Sequence, residues 1–319
     1  MEWQPSAGLE ALQARAGLLR QVREFMQVRG IMEVETPALS RAGTTDPAID
    51  SLSVALPREL RYLHTSPEYP MKRLLANGSG DIYQICKVWR LDESGSRHNP
   101  EFTLLEYYRV GHDYRQLMQE VGALLALLIP GLPAAPVFRE YRHCFLDTFG
   151  LDPFNTRPET LAACAAAHGL ELQGGQDKLD LQGWLDLLFS HVIEPGFPDT
   201  GLTFVYHYPA AQSALACVSE HEGYAVACRF EVYLGPLELG NGYQELSDGA
   251  ANTRKLTRDA RQRSREGRSG PVIDRRFLAA MQSGLPHCAG VAIGLDRVLL
   301  CRLGEKRLEQ VISFAWELA

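Results

Sequence analysis

Residues 88–109 read VWRLDESGSRHNPEFTLLEYYR. Residues suited to a strand run up to Trp89, a polar, turn-rich stretch follows, and strand-forming residues resume at Phe102. The pattern predicts an antiparallel hairpin, Ile82 to Trp89 against Phe102 to Tyr108, closed by a long loop. On its N-terminal side, Leu9, Leu12, Ala16, Leu19, Val22 and Met26 recur at helical steps and predict a helix over 7–28. Gly30 ends it. Ile31 to Val34 reads as a short strand stopped by Pro37. On the C-terminal side a helix is expected over 114–129 and a small Ala- and Leu-rich helical insertion near 155–195. Strands are expected at Thr203 to Tyr206, Cys228 to Leu234 and Leu237 to Leu239, and a charged helix over 250–266. The final GVAIGLDRVLLCRLG, from residue 290, reads as strand, tight turn and helix. Strands in runs with helices outside them, without βαβ alternation, indicate an α+β fold, a mainly antiparallel sheet flanked by helices. No repeat and no long linker is visible, so a single catalytic domain over 1–319 is expected.

Composition narrows the function. The chain has 319 residues, 45% hydrophobic and 22% charged, with a formal charge of −7. A chain that grips nucleic acid along its surface needs a cationic surplus, because each phosphate contact needs a cation. The seven cysteines are scattered without a CxxC pair, which argues for neither a cysteine zinc site nor a redox motif. They fit a reducing compartment, and a cytoplasmic location is expected. The start, MEWQPSAGLE, is not a signal peptide. The most apolar run, Val121 to Ile129, is too short to cross a bilayer, so no membrane association is expected.

Three segments in order, IMEVETPALS (31–40), VWRLDESGSRHNPEFTLLEYYR (88–109) and GVAIGLDRVLL (290–300), resemble motifs 1, 2 and 3 of the class II aminoacyl-tRNA synthetases. HTSPEYPMKRLL (64–75) and ELGNGYQELSD (238–248) resemble the lysine-specific branch. The resemblance runs from about residue 15 to the C-terminus. It implies that a carboxylate attacks the α-phosphate of ATP and expels pyrophosphate. Both reactants are anions, so placed cations must offset their repulsion, and arginine suits phosphate through its always-charged fork. By this resemblance Arg90 and Arg297 are the catalytic pair. Arg90 grips the α-phosphate and the carboxylate, and Arg297 grips the γ-phosphate. Phe102 stacks on adenine, and Asp92, His98, Asn99, Glu238, Leu239 and Gly294 complete the ATP site. Glu231 and Glu238 match the family's Mg2+ pair, oxygen ligands as that ion prefers. Arg90-Leu91-Asp92 departs from the usual Arg-x-Glu, since aspartate is one methylene shorter.

The side-chain ammonium of a lysine-like substrate must meet a carboxylate, because a buried unpaired charge is costly. The matching positions are Glu68, Glu106 and Glu245. Ser66, Pro67, Tyr108, Asn241, Tyr243 and Ala292 complete the expected pocket. Ala292 stands where the lysyl-tRNA enzymes usually carry glycine. Only 36 residues precede Pro37, and an anticodon-binding barrel needs on the order of a hundred, so that domain is expected to be absent. Both departures, with FVYHYPAAQSALA at 204–216, resemble the elongation factor P–lysine ligases, paralogues of the lysyl-tRNA synthetase core. That resemblance implies (R)-β-lysine or α-lysine as substrate, elongation factor P as acceptor, a homodimer built on motif 1, and no tRNA. Three alternatives stay open: a free-standing core that charges tRNA, a non-catalytic lysine- or nucleotide-binding paralogue, and a core that forms an amide or peptide bond on a small molecule. The basic run 254–268 reads either as a docking patch for an acidic protein or RNA, or as a solvated helix face.

Overall fold

The N-terminal apolar repeat folds as α1 (Leu9–Val28), which buries Ala11, Leu18, Val22, Phe25 and Met26. The buried stripe is offset from the expected one: Leu9 is 71% exposed and Ala16 also faces solvent. Gly30, at φ +68°, turns the chain out of the helix through a conformation that penalises a Cβ. The computed structural model describes residues 3–91, 95–133, 135–170, 179–268 and 272–319. The chain divides into two units, Met1–Gly131 with Gln244–Ala319, and Leu132–Tyr243.

In the first unit β1 (Met32–Glu33) follows α1, and a small antiparallel sheet forms from β2 (Leu39–Ser40), β3 (Ser53–Ala55) and β4 (Leu60–Leu63), with β4 central. After α2 (Glu68–Ala76), the expected hairpin appears as β5 (Ile82–Trp89) and β6 (Glu101–Val110), paired in unbroken register from Ile82 opposite Tyr108 to Trp89 opposite Glu101. The strand β1 runs parallel to β5. Helix α3 (Tyr114–Leu128) starts at a capping box in which Asp113 and Gln116 satisfy each other's backbone N–H. Its Val121, Leu124, Leu125 and Leu128 are fully buried, so the most apolar run is core.

The second unit contains β7 (Val137–Glu140), α4 (Tyr141–Phe149), α5 (Pro158–Ala167), α6 (Leu181–Leu188), β8 (Leu202–Pro209), β9 (Val218–His221), β10 (Tyr224–Leu234) and β11 (Leu237–Gln244). The pair β7–β8 is parallel, whereas β10 pairs antiparallel with β8, β9 and β11. The expected helical insertion is present as α5 and α6. Leu161, Ala165, Trp184, Leu185 and Leu188 join Val205, Tyr208 and Tyr233 in one apolar cluster. Each large side chain buried this way contributes on the order of 2 kcal/mol, which holds the sheet's inner face to the helices.

The first unit resumes with α7 (Gly249–Arg265), α8 (Arg275–Gly284), β12 (Cys288–Gly294) and α9 (Leu295–Leu303). The strand β12 pairs antiparallel with β6, placing Gly290 opposite Tyr108, Ala292 opposite Glu106 and Gly294 opposite Leu104. Sheets in both units are mixed but mainly antiparallel and carry helices, as the sequence predicts. All seven cysteines are free. Among the described residues no helix is long and apolar enough to cross a membrane.

Candidate active site

Helix α2 begins at Pro67, and the Glu68 N–H donates to Ser66 Oγ at 3.1 Å. One turn on, Lys72 lies on the same helix face as Glu68. Its Nζ donates to Glu68 Oε1 at 2.6 Å and pairs with Glu245 Oε2 at 2.5 Å, with the Lys72 and Glu245 side chains each 1% exposed. Glu106 and Tyr108, two apart on β6, share a face, and the Tyr108 hydroxyl donates to Glu106 Oε1 at 2.7 Å. The three expected pocket carboxylates therefore share one electrostatic environment, with Glu106 and Glu245 buried and Glu68 at its more open side. Burial first, then the charge of Glu68, pushes the Glu106 carboxyl up to about 8, against the opposing pull of Tyr108 and Lys72. Burial also raises Glu245, while Lys72 pulls it back. Burial alone would discharge Lys72, but Glu245 and Glu68 outweigh it and hold the ammonium charged.

Sequence reasoning missed Lys72, although its i,i+4 spacing from Glu68 was a visible signal. It also missed Gly290. A Cβ there would stand 2.5 Å from Glu245 Oε1 and against the Tyr108 ring. Glycine at this position is what lets Tyr108 and Glu245 close over the pocket. Gln84, opposite Glu106 on β5, accepts from the Thr36 hydroxyl at 2.9 Å and extends the polar row.

The nucleotide candidates of the first unit fall into two pairs. The Arg90 guanidinium lies 5.0 Å from the Phe102 ring centroid, a cation–π approach, and its Nε points to Thr65 O at 3.5 Å. Arg297, in the first turn of α9, has Nη2 2.8 Å from His98 Nε2. Asn99 Nδ2 donates to Glu101 O at 2.6 Å and its Oδ1 accepts the Trp316 N–H at 3.0 Å. Each end of that amide meets a backbone group, which fixes the end of the loop and leaves one Nδ2 hydrogen and one Oδ1 lone pair over. Gly294 caps α9 at φ −75°, a conformation open to any residue. Asp92 lies outside the described residues. Asp296, unremarked in the sequence, is 2% exposed, accepts the Thr103 N–H at 2.7 Å and pairs with Arg15 at 2.5 Å. It fixes the start of α9, and hence Arg297, to β6 and α1.

In the second unit Glu231 stands opposite Asn241, Arg229 opposite Tyr243, and Tyr233 opposite Glu238 across the β10–β11 ladder, with a register shift between Val232 and Tyr233. Leu239 is buried. The Glu231 carboxylate accepts from the Tyr208 hydroxyl at 2.6 Å, from the Tyr233 hydroxyl and from Arg229. Arg229 also lies 4.7 Å from the Tyr208 ring centroid. Glu231 and Glu238 supply two carboxylates on adjacent strands, a donor set that suits Mg2+. Coordination by Glu231 requires one of its present donors, Arg229 foremost, to give way. The Arg229-x-Glu231 spacing, which puts both on one strand face, was legible but was not used.

The basic run sorts into two sets. Lys255 pairs with Asp259 at 2.5 Å, Arg263 pairs with Asp50 and donates to Asp46 O at 2.8 Å, and Arg268 donates to Pro47 O at 2.7 Å. Arg254, Arg258, Arg261 and Arg265 are exposed, at steps of four, three and four that place them on one face of α7.

The family described as tRNA synthetases class II (D, K and N) matches residues 4–317. Relatives named elongation factor P–(R)-beta-lysine ligase occur in Mannheimia succiniciproducens (43% identical, covering 98% of this chain and 97% of the relative), Pasteurella multocida (42%; 99% and 98%) and Histophilus somni strain 2336 (42%; 98% and 97%). The strands β5, β6 and β12, with Arg90 just past the end of β5 and Arg297 in the first turn after β12, are thus the frame of a shared fold, and the chain belongs to the class II tRNA synthetases (D, K and N).

Proposed function

We propose that this protein activates (R)-β-lysine, or α-lysine, with ATP as an aminoacyl-adenylate and transfers it to a lysine ε-amine of elongation factor P. The observation that carries the reading is the surplus of three carboxylates, the buried Glu106 and Glu245 and the partly exposed Glu68, around the ammonium of Lys72. With all three ionised the pocket lacks positive charge, and a diamino acid supplies it. An anionic side chain such as aspartate would be repelled. The names of the relatives above support the acceptor.

In the first step the substrate carboxylate attacks the α-phosphorus, and the bond to the leaving pyrophosphate breaks. Arg90 neutralises the carboxylate and α-phosphate as they approach, and Arg297 takes the γ-phosphate. Phe102 offers a ring for adenine to stack on. Mg2+, held by Glu231 and Glu238 in this reading, neutralises phosphate charge when bound. In the second step the neutral ε-amine of the acceptor attacks the adenylate carbonyl. AMP leaves, and the amine sheds a proton. AMP is already a good leaving group, so positioning of the two reactants contributes most of the rate. The active form in this reading is a homodimer in the cytoplasm.

The test offers ATP, Mg2+ and either lysine isomer with elongation factor P and tRNA-Lys as competing acceptors. A single lysyl-sized mass gain on the factor with uncharged tRNA is expected. Charged tRNA beside an unmodified factor would replace this reading with a minimal synthetase. The stripe of Arg254, Arg258, Arg261 and Arg265 serves as the acceptor's docking face. Replacing Arg258 and Arg261 with alanine should raise the KM for the factor about tenfold and leave ATP–pyrophosphate exchange unchanged, as expected of charges that act at encounter. Unaltered acceptor kinetics would remove the stripe from the mechanism.

A further inference from the structure

Three side chains that the reaction does not use converge in the second unit. Glu140 ends β7, His207 lies on β8 and His221 ends β9. One ligand atom from each lies within 4.8 Å of the others. Glu140 Oε1 is 3.1 Å from His221 Nε2 and 3.6 Å from His207 Nδ1, and the two imidazole centroids are 4.3 Å apart. A tetrahedral ion with bonds of about 2.0–2.1 Å needs neighbouring ligand atoms roughly 3.3 Å apart, and the two observed separations bracket that value. The second carboxylate oxygen is 3.9 Å from His143 Nδ1, and the Tyr206 hydroxyl donates to Oε1 at 3.4 Å, so Glu140 is oriented from outside the cluster.

Backbone geometry is an independent sign. Tyr206 pairs with Phe230 and Tyr208 with Ala227, so His207 alone faces Cys228 and Arg229, a bulge. His207 adopts φ +59°, a left-handed conformation costly for any residue with a Cβ. Bulges re-aim side chains, and local strain of this sort gathers at functional sites. Here the bulge sits where His207 joins Glu140 and His221. The side chains are 5%, 15% and 33% exposed, so the cluster is shielded yet reachable.

We propose that Glu140, His207 and His221 bind a transition-metal ion of the Zn2+ type. Two imidazoles and one carboxylate are a donor set that such an ion accepts, with a fourth position left for water. The ion joins β7, β8 and β9 and holds the bulge closed, a structural clamp distinct in chemistry from the all-oxygen Mg2+ pair.

The test uses the full chain freed of metal by chelator and titrated with Co2+ as a spectroscopic stand-in. One equivalent should bind per chain with the intense visible bands of tetrahedral Co2+. His221→Gln and Glu140→Gln should each weaken binding more than about tenfold. His207→Asn, which tolerates the left-handed backbone, should do the same with an unchanged far-ultraviolet spectrum. Added Zn2+ should raise the Tm of the unaltered chain and of none of the three variants. Absence of tetrahedral bands, or the same Co2+ affinity in all three variants, would overturn the site. Weak octahedral bands alone would place the ion on carboxylates elsewhere and overturn it equally.

Discussion

Two buried carboxylate clusters in this molecule solve the same electrostatic problem differently. Around Lys72 in the first unit, Glu68, Glu106 and Glu245 share one internal ammonium, and Glu106 is pushed up to about 8 by burial first and then by the charge of Glu68. Around Arg229 in the second, Glu231 alone takes a guanidinium and two phenolic donors. In the second cluster Glu231 already has a full guanidinium partner, so a further cation such as Mg2+ has to displace Arg229. In the reading proposed above, the first accepts the substrate ammonium beside Lys72, as Glu106 gives up its proton. Counting charges against their internal partners therefore separates a cluster with room for an added cation from one whose own cation must first move, where a list of acidic residues does not.

The largest effect should come from removing the internal cation of each cluster. Lys72→Met and Arg229→Met each strand buried carboxylate charge and should cost about 3–5 kcal/mol of stability, read by urea denaturation. The comparison is sharpened by adding free lysine. Its ammonium can enter the first cluster, so lysine should raise the Tm of Lys72→Met more than that of the unaltered chain. Lysine should leave the stability deficit of Arg229→Met in place. Equal lysine responses in the two variants would break the distinction.

A smaller effect is expected from Glu106→Gln, which keeps shape and removes one negative charge from the surplus. Losing a charged hydrogen bond to the substrate is worth about 2 kcal/mol, roughly thirtyfold, expected in the KM for lysine more than in kcat. Its pH dependence follows in sign. The Glu106 carboxyl ordinarily titrates at 4.5 and in the fold near 8. Between those values the folded chain holds the extra proton, so this group's contribution to stability declines as pH rises. A substrate ammonium favours the ionised form, so binding at pH 7 expels a proton. The KM for lysine should fall roughly tenfold from pH 6 to 7 and level off near 8. Glu106→Gln should flatten that profile. A flat profile in the unaltered enzyme would place Glu106 outside the substrate's reach.

The same contrast explains what could be read from the sequence. The hairpin 82–110 and helix α3 were legible because alternation and helical spacing are local signals. Glu68, Glu106 and Glu245 were legible through motif spacing. Lys72 and Arg229 were within reach of simple periodicity, four apart on a helix and two apart on a strand. Asp296 was not, because its partners Arg15 and Thr103 lie far away along the chain and meet it only in the fold. The same holds for Gly290: only the packed positions of Tyr108 and Glu245 show that a side chain there has no room. The backbone contacts of Asn99 to Glu101 and Trp316 were likewise beyond the motif, because Trp316 meets it only in the fold.

The subtlest difference lies within the first cluster, at Ala292. It pairs across the ladder with Glu106, so its methyl group is on the same sheet face as the surplus carboxylate. Moving the amino group from the α- to the β-carbon shifts one substrate ammonium by a single carbon relative to the carboxylate held at Arg90. In the reading proposed above, a methyl group beside Glu106 limits how deep the substrate chain sits and so favours one spacing over the other. Ala292→Gly should leave stability within about 1 kcal/mol, the ordinary cost of glycine inside a strand. It should change the ratio of kcat/KM for the two lysine isomers about three- to tenfold, at the low end of what one carbon is worth in a pocket. Pyrophosphate exchange with each isomer measures that ratio directly. An unchanged ratio would mean that isomer choice is made by the carboxylates alone, through where charge lies and not through how much room there is.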